Sequence, residues 1–96
     1  MSPEEILKRK TEKVYLQIMS KYSAEVLTPE IIRRNAERYN GVFTSLVLAG
    51  GEGASILEVL AVRNAWRRVA DEKGYIIDFS GRVATITAKE GKANGG

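Results

Sequence analysis

The chain contains neither cysteine nor histidine. Without cysteine there is no disulfide framework, no thiolate metal site and no thiol nucleophile. Without histidine the commonest general base near neutral pH is missing, and so is the commonest nitrogen ligand for zinc or copper. Ordinary triad hydrolysis and zinc catalysis are thereby excluded, and carboxylates remain as the only obvious acid, base or hard-metal groups. Asp78 and the scattered glutamates form no pair at a spacing that implies shared chemistry, so no catalytic residue, cofactor or metal ligand is assigned and a non-enzyme is expected. Long apolar runs are lacking as well, and none approaches the length that spans a membrane. The acidic start Met1-Ser2-Pro3-Glu4-Glu5 leads into a charged amphipathic segment and resembles neither a signal peptide nor a transit peptide, so a cytoplasmic location is the default expectation.

What is present suits one globular domain. The chain has 96 residues, 44% of them hydrophobic and 28% charged, which is too apolar for a disordered polymer and too short for two cores. A single α+β domain is expected over residues 1–90, with a flexible tail at 91–96 that has no apolar anchor. The net charge of +3 and the pI near 9.3 permit a polyanionic partner.

Three helical segments and a hairpin follow from the patterning. Leu7, Val14 and Ile18, flanked by Ile6, Tyr15, Met19 and Tyr22, recur at helical spacing and predict a first helix from Pro3 to about Tyr22. Thr28-Pro29-Glu30 is a start signal, since threonine caps free amides and proline is tolerated at the first helical position. The second helix is then expected to stop at Asn40-Gly41, and the β-branched, apolar stretch 42–49 reads best as a buried strand, with a short buried helix as the other reading. Gly50-Gly51-Glu52-Gly53 predicts a turn, followed by a third helix over residues 54–73 that closes at Gly74. Val62, Ala65, Trp66, Val69 and Ala70 share one side of it, and Arg63, Asn64, Arg67, Arg68, Asp71 and Glu72 the other. Ile56, Leu57, Leu60 and Ala61 point another way and make the first half apolar nearly all round. A hairpin about Ser80-Gly81 is predicted to align Tyr75, Ile77, Phe79, Ala84 and Ile86 on the face that packs on helices.

The feature most able to carry function is the face of Arg63, Asn64, Arg67 and Arg68, followed by a hairpin with Arg82 at its turn. Guanidinium groups and an amide suit both phosphate and base-edge hydrogen bonds, as when a helix enters a groove and a wing touches the backbone. The bland alternative is a solvated helix surface on which Arg67 pairs with Asp71 and Arg68 with Glu72, four residues on.

The stretches Leu27-Thr28-Pro29-Glu30 to Ala36, Trp66-Arg67-Arg68-Val69-Ala70-Asp71-Glu72-Lys73-Gly74-Tyr75-Ile76 and Gly81-Arg82-Val83-Ala84-Thr85-Ile86-Thr87-Ala88-Lys89-Glu90-Gly91 resemble winged helix-turn-helix regulators of the MarR kind. The resemblance covers roughly half the chain. It implies a winged-helix-like, dimeric, DNA-binding protein in which the helix before the hairpin reads the major groove and the hairpin is the wing. The segment from Tyr39 to Ser55 departs from it, because that family has only a short turn between its second and recognition helices.

The expectation is therefore a nucleic-acid-binding protein, double-stranded DNA first, acting as a small transcriptional regulator and dimerising through its first helix. Two rivals accompany it: a non-enzymatic structural or assembly protein, such as a viral or protein-interaction component, and an RNA-binding α+β domain. The run Leu46 to Gly53 also resembles the phosphate-holding loop of sugar-phosphate nucleotidyltransferases, but Ala54-Ser55 replaces that family's Thr-Arg and the chain is too short for its doubly wound domain. A simple turn is the reading adopted there.

Overall fold

A computed structural model describes residues 2–23, 25–49 and 55–89. The elements run α1 (Pro3–Lys21), α2 (Pro29–Leu48), α3 (Ile56–Glu72), β1 (Tyr75–Ser80) and β2 (Val83–Ala88), giving an α+β fold of three helices followed by a β-hairpin. This order is compatible with a winged-helix arrangement.

α1 and α2 start where their capping residues place them. Ser2 Oγ accepts the Glu5 amide at 3.2 Å, and Glu4 and Glu5 lie at the positive end of the α1 dipole. Thr28 Oγ1 accepts the Ile31 amide at 3.4 Å, with Pro29 opening α2. α3 ends at Gly74, whose φ of +88° is the left-handed conformation that terminates helices, and the Gly74 amide donates to the Asp71 carbonyl at 3.1 Å.

α3 is the central element, packed by α1, α2 and the hairpin. Val62, Ala65, Trp66, Val69 and Ala70 are all buried, as their shared helical side predicts, and they meet Ile18 of α1, Leu27, and Ile32 and Ala36 of α2. Tyr75, Ile77, Phe79, Ala84 and Ile86 form the inner face of the hairpin, with Ile77 paired to Ile86 and Phe79 to Ala84.

α2 corrects the expected stop and strand. It passes through Asn40 and Gly41 without a break, and residues 42–48, read as a strand, form its last two turns. The buried side of the helix, Ile32, Ala36 and Asn40, runs into the supposed stop, and half-buried Phe43 packs against the core beyond it. A β-branched run needs a neighbouring strand to be extended, and the sheet holds only β1 and β2 among the described residues. The Ser23-to-Leu27 link forms a turn at Glu25 and Val26. The glycine turn at 50–53, the first position of the expected third helix and the tail at 91–96 lie outside the described residues, while Ser55, expected in that helix, is the extended residue that precedes it.

Candidate nucleic-acid interface

Because α3 buries Val59, Val62, Trp66 and Val69, Arg63, Asn64, Arg67 and Arg68 fall on the rest of its circumference. Their surroundings separate them. Arg63 reaches to the hairpin: its Nε donates to Asn40 Oδ1 at 2.7 Å and its Nη2 to the Gly81 carbonyl at 3.0 Å. Asn40 is fully buried, and its Nδ2 donates to the same carbonyl at 2.9 Å. Asn40, Arg63 and the Gly81 carbonyl thus close a triangle of three hydrogen bonds at the turn.

Arg67 is exposed, donates to Asn64 Oδ1 at 3.2 Å, and sits 5.5 Å from the centroid of the Phe79 ring. Arg63 lies over the same ring, also at 5.5 Å. Arg82, the other turn residue, points toward α2 and donates to Ser45 Oγ at 3.0 Å. Gly81 between the strands has a φ of +59° and Arg82 a negative one, the pattern of a turn with glycine at its first central position. Four of the five expected site residues, Arg63, Asn64, Arg67 and Arg82, therefore gather about this turn and the Phe79 ring. Among the described residues no carboxylate pairs with Arg63, Arg67 or Arg82.

Arg68 goes elsewhere. Its Nη1 donates to Glu12 Oε2 of α1 at 2.6 Å, and its guanidinium lies 3.7 Å from the Tyr15 ring centroid. The hydrogen bond to Glu12 holds the guanidinium even further above its ordinary pKa. Tyr15 in turn donates to Glu72 at 2.6 Å, which pushes the phenol pKa upward, and Lys10 pairs with Glu58 at 2.5 Å. This flank of α3 is internally neutralised.

Neither expected i,i+4 pair on α3 is formed. Arg67 takes Asn64, Asp71 pairs with Lys89, and Arg68 and Glu72 turn to α1. On α2, Arg33 donates to Glu30 at 2.7 Å, which draws that carboxyl below its usual pKa, and Glu37 accepts the Ala84 amide at 2.8 Å. The hairpin tip is consequently fastened to α2 and α3 instead of projecting freely.

Sequence patterning missed Asn40 and Ser45. Local turn chemistry assigns Asn40 to a helix stop, although its spacing of four from Ala36 and eight from Ile32 marks it as the next residue on the buried side. Among the described residues no group of three or more acidic, histidine or cysteine side chains could hold a metal ion, and no helix is long and apolar enough to cross a membrane. No protein-family model, curated protein or solved structure matches the chain.

Proposed function

We propose that this domain binds nucleic acid, duplex DNA before RNA, with Arg63, Arg67 and Arg82 meeting phosphates and Asn64 beside them, in the manner of a small transcriptional regulator. The observation that carries this reading is the gathering of three arginines about one hairpin turn and the Phe79 ring beside it, with only neutral partners among the described residues. A guanidinium has five N–H donors, and those spent on Asn40, Gly81, Asn64 and Ser45 leave others to donate. Among the described residues no carboxylate pairs with them, so a polyanion gains Coulomb energy without displacing one. Anchoring of the turn lowers the conformational entropy lost on contact. Arg68 is left out of this surface because Glu12 neutralises it.

Fluorescence anisotropy with a random DNA duplex tests the reading. Binding should weaken with salt, each phosphate contacted contributing a slope of about −0.9 in log K against log salt. Arg67→Ala and Arg82→Ala should each shallow that slope by about one, while Arg68→Ala leaves it unchanged. Absence of binding at micromolar protein in low salt ends the proposal, and a preference for RNA over duplex DNA moves it to the RNA-binding reading.

A second reading, an assembly or protein-interaction role, is favoured by one observation. Val42, Leu46 and Leu48 of α2 and Ile56 of α3 are exposed at 51, 44, 80 and 60%, aliphatic side chains left uncovered among the described residues. By contrast, the apolar residues of α1 largely pack within the chain, with Leu16 its one exposed large aliphatic among the described residues. Light scattering separates the readings: a large closed oligomer without nucleic-acid affinity favours assembly.

A further inference from the structure

The two edges of the hairpin are treated differently. The outer edge of β2 lies along α2, where Glu37 accepts the Ala84 amide at 2.8 Å. Among the described residues no strand lies beside the outer edge of β1. With a two-residue turn at Gly81 and Arg82, Ser80 and Val83 are a hydrogen-bonded pair, and so by alternation are Asp78 with Thr85 and Ile76 with Thr87. The Lys89 amide donating to the Gly74 carbonyl at 3.0 Å continues this alternation. The amides and carbonyls of Tyr75, Ile77 and Phe79 therefore point out of the open edge.

An open edge is normally blunted by lysine, proline or a bulge. β1 has none of these; it carries Ile76 exposed at 46%, and a groove runs between its edge and the C-terminal half of α3. Two arginines and two aspartates line that groove: Arg67, Arg68, Asp71 and Asp78. Arg67 stands at the Phe79 end and Asp71 at the Tyr75 end, where the helix runs into the strand. Such a surface complements an inverted copy of itself, because inversion brings Arg67 of each copy toward Asp71 of the other.

We propose that β1 pairs antiparallel with β1 of a second copy of this chain, joining two hairpins into one four-stranded sheet about a twofold axis at Ile76. In this register Tyr75 of each copy exchanges backbone hydrogen bonds with Ile77 of the other. Ile76 meets its own counterpart as the closely spaced pair, about 4.5 Å between Cα atoms, and becomes covered. Arg67 of each copy comes near Asp71 of the other, whose charge is already met by Lys89, so the guanidinium keeps donors for a phosphate.

The dimer stands on the strand edge alone, but one consequence rests on the nucleic-acid reading. Gly81 lies five residues from Ile76, about 17 Å at roughly 3.4 Å per residue. The two turns, each with its Arg63 and Arg82, are thus about 34 Å apart on one side of the sheet, close to the spacing of about 34–36 Å between half-sites one turn of DNA apart.

Sedimentation equilibrium of the full chain without nucleic acid, over micromolar to hundreds of micromolar, should show a reversible shift from one to two chain masses. Amide exchange at Ile77 and Phe79 should slow as the dimer forms. Ile76→Lys sets like charges against each other at the axis and should return a monomer with unchanged circular dichroism, whereas Ile76→Val keeps the dimer. If Ile76→Lys does not fold, Ile76→Thr should weaken association at least several-fold with the fold retained. A chain that stays monomeric throughout, or a dimer in which the Ile77 and Phe79 amides remain unprotected, overturns the proposal. A dimer with these properties that fails to bind duplex DNA leaves the pairing intact and removes the nucleic-acid reading instead.

Discussion

α3 is held along two seams made in opposite ways. Toward α1 and α2 it presents Trp66, whose ring lies 6.4 Å from that of Tyr22 and 6.3 Å from that of Tyr39, among Ile18, Ile32 and Ala36. Toward the hairpin turn it presents Arg63, held by the buried Asn40 amide and the Gly81 carbonyl. The first seam acts through area removed from water and is tolerant of direction. The second is directional: hydrogen bonds fix where the turn sits, with modest net stabilisation and a large penalty if one partner is lost. Stability and placement are thus assigned to different residues, and only the second seam leaves charge over for a ligand.

Truncating the apolar seam should have the largest effect. Trp66→Ala is expected to cost about 3–5 kcal/mol through lost transfer energy and the cavity left behind. A domain of this size is typically stable by about 5–15 kcal/mol, so urea denaturation should show most of the stability gone. A loss below about 1 kcal/mol would mean that Trp66 is not the centre of the core.

The polar seam should be weaker in stability and stronger in function. Asn40→Ala removes one donor from Gly81 and the acceptor from Arg63 Nε, and should cost about 1–3 kcal/mol. Where the fold is retained, the freed turn should bind duplex DNA less tightly, a change that Trp66→Phe should not produce. If Asn40→Ala destabilises as much as Trp66→Ala with DNA affinity unaltered in the folded fraction, the distinction between the seams collapses.

How far the sequence reveals these seams differs in the same way. The apolar seam follows from period: Val62, Ala65, Trp66, Val69 and Ala70 repeat at helical spacing, and alternation from Tyr75 to Ile86 gives the hairpin face. Local capping chemistry likewise marks Thr28 and Gly74. The polar seam depends on contacts far apart in sequence, Asn40 with Gly81 and Arg63 with Asn40, so local rules assign Asn40-Gly41 to a helix stop. Residues 42–48 fail for a related reason, since a short run of β-branched and aliphatic side chains fits strand and helix alike until a partner strand is present or absent. Among the candidate site residues, the shared helical face is readable but the long-range pairing is not: nothing local says that Arg68 belongs to Glu12, fifty-six positions away.

Gly41 gives the smallest test and bears on why α2 continues at all. Glycine inside a helix is destabilising by roughly 0.5–1 kcal/mol relative to alanine, because the unfolded chain has more conformations to lose. A Cβ there would meet the Arg82 side chain at 4.0 Å, ordinary van der Waals contact, and Gly41 does not adopt a positive φ. Steric need therefore does not explain it, and Gly41→Ala should stabilise the domain by about 0.5–1 kcal/mol, raising the midpoint of thermal unfolding by a few degrees. The Arg82 contact with Ser45 should survive, leaving the salt dependence of DNA binding as in the parent chain. Destabilisation by Gly41→Ala would show that the turn packs against α2 more closely than a methyl group allows, and that placement at this seam is set by shape as well as by hydrogen bonds.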